Sequence, residues 1–328
     1  KEQRLLVLSA EQDEFYRDTM YANFGDLGAA VKELVDTYQR KTQTNKKLES
    51  LADVKRFVDE YPEFRRLAGN VSKHVALMGE LSRLVDARSL LDVSELEQEL
   101  ATKGDHATAK TNVLEFVCGT RRDELDARDR VRLSVLYALR YEENSSSAVS
   151  QLSAAIADAD TPAELRGAIG NVLEYAGSSK RTGDLFQTKN IIRKARSHVK
   201  RGLKGATNVY TQHTPPLIDT ITAALGGALR ETEYPFALGG SDDVASGGGI
   251  GGGSASGGAG AARPQHVIVF VVGGTTMEEA AAVHTYNEEH QGVHVLLGGS
   301  SVQTSAAFLD AVRHATGNTG NLGGAAGA

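Results

Sequence analysis

The sequence predicts an α/β fold with a large, mostly helical insertion, in which one parallel-sheet domain is split by a helical region. Three observations carry this. Short apolar strand-like runs sit near the two ends, at Leu5 to Leu8, Val267 to Val272 and Val293 to Leu297. The stretch between them, about Asp18 to Leu238, has helical periodicity throughout. A segment with 11 glycines between Gly239 and Ala262 then leads back to the last strands, and with almost nothing to bury it reads as a flexible return loop.

Composition narrows the classes. The 328 residues carry 36 Lys+Arg against 42 Asp+Glu, a formal charge of -6, with one cysteine and no tryptophan. Cys118 alone can form neither an internal disulfide nor a four-thiolate zinc site, which fits a reducing, cytoplasmic compartment. No apolar run reaches the roughly 18 residues of a membrane span, and the start, Lys1-Glu-Gln-Arg, has no apolar signal core. The missing initiator Met suggests a fragment or processed form.

In chain order, residues 1–17 read as a strand, Leu5 to Leu8, entering a helix capped by Ser9 with Gln12. Residues 18–105 read as one helical region and 106–238 as a second, with breaks at Lys103-Gly104-Asp105, Asn144 to Ser147 and Gly177 to Ser179. Val31, Leu34, Val35 and Tyr38 make one apolar helix face, and Leu133 to Leu139 is dense enough for a buried helix. Ser94 with Glu97, and Thr161 with Pro162 and Glu164, read as helix starts. After the glycine loop (239–263), residues 264–316 read as β-α-β-α, with Thr276 and Glu279 capping the first helix. Two strands cannot stand alone, so Leu5 to Leu8 is expected to join them in one sheet. Residues 317–328 read as a disordered tail.

Candidate sites are few. The turns after the two C-terminal strands, at Gly273 and Gly298, lie where a nucleotide phosphate could bind a helix N-terminus, which would make the chain a nucleotide-using α/β enzyme. Neither turn matches a dinucleotide fingerprint or carries the P-loop lysine, so tight turning and capping explain them better. No cofactor, metal site or catalytic residue is expected: His284, His290 and His294 lack a third ligand, and Cys118 lies in an apolar stretch that predicts a buried, inert thiol. From Lys180 to Lys204 there are nine basic residues and one acid, Asp184. Its Lys189, Arg193, Lys194, Arg196, Lys200 and Arg201 read as a solvated face or a patch for an acidic protein or lipid. Aromatic interleaving is missing apart from Phe186, so nucleic acid is not expected.

The most informative stretch is Leu51 to Val85. Phe57, Tyr61, Phe64, Ala68, Val71, Val75, Met78, Ser82 and Val85 follow a strict 4,3,4,3 spacing, the seam of a helix built to lie along other helices. The seam either packs within the protein or forms a groove for a partner helix. Pro62 interrupts it, and an interior proline costs about 3 kcal/mol, so a bend or break is expected there, a place suited to a hinge.

Several separated stretches together resemble the SM (Sec/Munc) family of SNARE-binding proteins. They are residues 20–28 (MYANFGDLG), 61–64 (YPEF), 70–75 (NVSKHV), 97–101 (EQELA), 132–140 (RLSVLYALR), 209–213 (VYTQH) and 267–280. Their order is closest to the branch working between endosomes and the trans-Golgi network. The resemblance implies the SM arch, with the split α/β domain as domain two and the helical insert as domain three. It implies that domain one, with its pocket for a syntaxin N-terminal peptide, is missing here. It implies a non-enzymatic partner of syntaxin-type and vesicle SNAREs, cytoplasmic and peripheral on Golgi and endosomal membranes. A subunit of a tethering complex, as in another branch, is the alternative within the family. On that template Pro62 is the hinge of a helical hairpin, and Phe64, Leu67, Val71, His74, Val75 and Met78 fall where the hairpin meets the vesicle SNARE, with the outward-facing members left open. Met277 and Thr207 depart from the expected pattern, where a tyrosine and an acidic residue are usual.

Overall fold

The computed structural model describes residues 5–45, 51–102, 105–181, 183, 185–186, 212–235 and 264–317. The chain divides into two compact units, residues 1–90 and 91–328, and the two are built differently.

The first unit holds α1 (Glu14–Thr19), α2 (Phe24–Asn45) and α3 (Leu51–Ala87). Residues 5–9 have no regular structure, with Leu5 92% and Val7 77% exposed, so the expected strand is not formed. An apolar run becomes a strand only when a neighbour accepts and donates its ladder bonds. Asp13, not Ser9, caps α1: its backbone is extended and its carboxylate accepts the Tyr16 N–H at 3.1 Å. The Ser9 carbonyl instead closes a turn, accepting the Gln12 and Asp13 N–H groups. Asn23 likewise accepts from Asp26 N–H where α2 begins. Within this unit α2 and α3 pack along one another, the Tyr38 ring stacking on Phe64 at 5.4 Å.

The second unit is a helical cluster followed by a small parallel sheet. Among the described residues its helices are α4 (Leu90–Thr102), α5 (His106–Val117), α6 (Ala127–Tyr141), α7 (Val149–Ala155), α8 (Ala168–Ala176) and α9 (Leu217–Leu225). Then come β1 (His266–Val271), α10 (Met277–Glu289), β2 (His294–Gly299) and α11 (Ser305–Gly317). Ser94 does not start a helix; α4 runs through it because Val93, Leu96 and Leu100 continue one buried stripe into the core. That core draws α4 into the second unit. Thr161-Pro162 opens a 3-10 turn (Ala163–Leu165), and α8 begins only after Gly167. As expected, residues 133–139 lie in a buried helix: α6 packs against α5, α7 and α8 with Val131, Leu133 and Tyr137 fully buried. Cys118 corrects another expectation, for it is exposed at the C-cap of α5, where the helix ends and the chain turns outward.

Tyr137 shows how the cluster is pinned. Its hydroxyl accepts the Ala148 N–H at 3.1 Å and lies 2.9 Å from His106 Nε2. Tyr137→Phe should therefore cost about 1–3 kcal/mol, since the buried Ala148 N–H loses its acceptor. Urea unfolding reads the loss, and a change under 0.5 kcal/mol would count against this role.

The strands β1 and β2 are parallel, with His266 opposite His294 and Val271 opposite Gly299. They are the two strands of this sheet, so the predicted third member is not part of it among the described residues. Alternate side chains separate the faces: Val267, Val269 and Val295 pack with Val283, Tyr286 and Ile221, while Ile268, Phe270 and Leu296 are exposed. Thr276 and Glu279 form a complete capping box at α10, as the sequence predicts.

Candidate functional site

The long helix α3 spans 37 residues, about 55 Å at the α-helical rise. Of the bend or break expected at Pro62, the break does not occur: the helix continues through it. Pro62 removes one N–H from the ladder and crowds the carbonyl four residues before it. Pro62 itself is exposed.

Burial decides which side chains face outward. Val71 and His74 are buried, while Phe64, Leu67 and Met78 are half-buried. These five form the inward stripe. Phe64 stacks on Tyr38, the Met78 methyl closes on Gly28, where an added Cβ would lie 3.4 Å away, and the His74 ring sits 4.5 Å from Phe15. The packing seam therefore runs Phe64, Leu67, Val71, His74, Met78, rotated from the apolar count that had chosen Ala68 and Val75. The rotation has a polar cause. Asp13 Oδ2 lies 2.9 Å from His74 Nε2 and also contacts the Lys73 ammonium, so an imidazole occupies a core position. Burial works against the Asp13 charge, but Lys73, the Tyr16 amide and His74 outweigh it and hold the carboxyl below its usual range.

The outward side carries Pro62, Tyr61 at 48% and Val75 at 44% exposure, with Ala68 half-buried between them. Tyr61, Ala68 and Val75 recur every seven residues and so share one line along the helix. Beside that line, Gly69 and Gly79 leave open space where a Cβ would stand, and Ser72 and Ala76 are exposed and small. A second helix can approach such a ridge closely, burying Tyr61 and Val75 as it does so.

The rival site at the sheet is poorly made for phosphate. Gly273 N–H is taken by Ser300 Oγ at 2.8 Å, Thr275 N–H by the Ser301 carbonyl at 2.9 Å, and Thr276 N–H by Glu279 at 2.8 Å. The adjoining cavity of about 760 Å³ is lined by Tyr175, Val272, Met277, Phe308, Glu278 and Glu279 among others, with no lysine or arginine. Two carboxylates at a helix N-terminus already satisfy the charge preference that a phosphate would use. Among the described residues no group of three or more His, Cys, Asp or Glu could hold a metal ion, and no helix is long and apolar enough to cross a membrane. The predicted basic patch, Lys189 to Arg201, and the glycine loop lie outside the described residues.

Residues 1–311 match the model of the Sec1 family. A rat protein named vacuolar protein sorting-associated protein 45 is 42% identical over 313 residues, which are 95% of this chain and 51% of the rat protein. Its Dictyostelium discoideum namesake is 44% identical over 231 residues, 70% of this chain and 40% of the relative. Among solved structures, the SM protein Vps45 in complex with the Qa SNARE Tlg2 superposes with a TM-score of 0.77 at 37% identity, covering 96% of this chain and 52% of that one. The chain thus spans about half the length of the relatives it matches. A helical body with a small parallel sheet is shared with those SM structures, and the motif order had pointed to their branch. The chain belongs to the Sec1 family.

Proposed function

We propose that this chain is the SNARE-handling part of a regulator of vesicle docking and fusion between endosomes and the trans-Golgi network. It is a non-enzymatic protein of the cytoplasm, peripheral on Golgi and endosomal membranes through its SNARE partners. Residues 18–105 then correspond to the hairpin-bearing part of domain three, 106–238 to its remainder, and 264–316 to the second half of the split domain two. The observation that carries the reading is the pair of exposed side chains Tyr61 and Val75, with half-buried Ala68 between them, on a 37-residue helix beside a ridge of small residues. A relative at 37% identity was solved with a Qa SNARE.

The physical work is entropic. Bringing free helices together costs about 4–15 kcal/mol in translational and rotational freedom, and a scaffold that holds each in register lowers that cost for the later steps. Tyr61 and Val75 act as the apolar anchors of a helix laid along α3. The other members of the expected set, Phe64, Leu67, Val71, His74 and Met78, meet a partner only once the α2 face has opened.

The double variant Tyr61→Ser, Val75→Asp changes exposed positions and should leave the melting temperature near that of the wild type. It should weaken binding of vesicle-SNARE and syntaxin-type SNARE motif peptides at least about ten-fold, the loss of one buried anchor or more. Unchanged affinity for both peptides in calorimetric titration would remove the functional reading from this face of α3.

A further inference from the structure

Among the described residues of the first unit four side chains are buried: Asp13, Val31, Val71 and His74. The large apolar clusters among the described residues draw their members from the second unit. Half of the buried positions in the first unit are thus a carboxylate and an imidazole, 2.9 Å apart, with the Lys73 ammonium against the same carboxylate oxygen and Phe15 against the imidazole. For stability alone an apolar pair would serve as well or better, because desolvating charge is expensive. Hydrogen bonds add what apolar contact lacks, a fixed direction. Asp13 is held in place as the cap of α1 through Tyr16 N–H, and it grips two neighbouring residues of α3, Lys73 and His74. Two adjacent attachments about 100° apart around a helix fix its rotation about its own axis.

We propose that Asp13, Lys73 and His74 form a latch that sets the roll of α3. Latched, the helix offers a partner the line Tyr61, Ala68, Val75 and keeps Phe64, Leu67, Val71 and Met78 turned inward. Unlatched, α3 turns or lifts and the inward stripe becomes available, so the partner helix gains a second, more apolar face. Among the described residues of the first unit only Val31 and Val71 are buried besides Asp13 and His74, which places the motion at the low-stability end of the molecule. The value of the latch to SNARE assembly rests on the function proposed above, while the latch itself does not. Asp13, Lys73 and His74 are positioning residues, since none is offered to the partner in the latched form.

The test uses the full chain with Cys118→Ser, which removes the exposed thiol, and Val71→Cys as a reporter on the buried stripe. Thiol labelling should be slow in this background and accelerate about ten-fold or more with Asp13→Asn, the effect expected when a hydrogen bond to a charged group is lost. His74→Gln keeps a donor at the position and should stay within about two-fold of the background. If Asp13→Asn loses helical circular dichroism, Lys73→Met, which removes one partner and leaves the His74 contact, takes its place with the same expectation. Labelling unchanged in a folded Asp13 or Lys73 variant overturns the latch. Titration with a vesicle-SNARE motif peptide separates the two readings. Accelerated labelling with raised peptide affinity supports both; accelerated labelling with no peptide binding in any variant keeps the latch and discards the SNARE role.

Discussion

Arg132→Met should lower stability at neutral pH by about 3–5 kcal/mol, the cost of leaving buried charge without the cation it was folded around. Arg132 reaches two carboxylates, contacting Glu97 through Nε and Asp129 at 2.9 Å through a terminal nitrogen. Asp129 is fully buried, and the Glu97 and Arg132 side chains are only 25% and 29% exposed, so solvent screens this cluster weakly. Methionine keeps much of the stem's packing and removes the charge. The pH dependence follows from Glu97. Burial raises its carboxyl above the ordinary value; Arg132 pulls it down, while Asp129 and Glu278 push it further up. A carboxyl whose folded pKa exceeds its unfolded one binds more protons in the native state, so stability is gained as pH falls through that window and lost as pH rises. Without Arg132 the folded value climbs again. The deficit of the variant should therefore shrink as the pH is taken from about 7 to about 5. Paired urea titrations at both values decide the matter, and an equal deficit at both would show that packing, not charge, is what Arg132 supplies.

Gly274→Ala should cost about 2–5 kcal/mol, the sum of a strained backbone and a steric clash. Gly274 has φ +113°, and a Cβ there would stand 2.4 Å from Ser301 Oγ and 2.8 Å from the Ser301 carbonyl. That carbonyl accepts the Thr275 N–H, and Thr275 in turn accepts Gln303 N–H at 2.7 Å, so the clash falls on the bonds that extend the ladder beyond β1 and β2. The adjacent Gly273 is the control. Its φ is +109° but nothing lies within 4 Å of a Cβ, so Gly273→Ala carries strain alone, about 1–2 kcal/mol. Equal losses for the two variants would mean that the turn can move aside.

The two predictions draw on parts of the molecule that differ in how well the sequence announces them. The segment from β1 to α11 was legible because its signals are local: a run of β-branched residues, a glycine pair, and a Thr-x-x-Glu box at the start of α10, which the structure completes in full. The same box at Ser94 misled, since a Ser-x-x-Glu pattern inside the continuous apolar stripe Val93, Leu96, Leu100 cannot end a helix. Residues 5–8 misled for the opposite reason: their apolar character is local, but a strand is made by its neighbours.

At the candidate site, the periodicity located α3 and its helix-packing purpose, and it misjudged the roll. Counting apolar residues could not admit His74 to the core, because its partner Asp13 lies 61 residues away in sequence and no short-range pattern joins them. One signal was available: a histidine set three residues after Val71 and four before Met78, at inward spacing on a helix otherwise scored for its seam. Pro62 left a bend or a break open, and the helix carries it unbroken at an exposed position.

The length of α3 turns the small geometry at Asp13 into a large one. From His74 back to Leu51 the helix extends for about 35 Å. A straight rod pivoting by 10° at one end sweeps the other through about 6 Å, more than one full turn of helix pitch. A hydrogen bond lengthened by an ångström near the pivot is thus magnified at the tip into a displacement comparable to the spacing between successive layers of a helical bundle. A partner pulling at the far end has the same advantage in reverse, so modest force there acts on the contacts of His74 with multiplied torque.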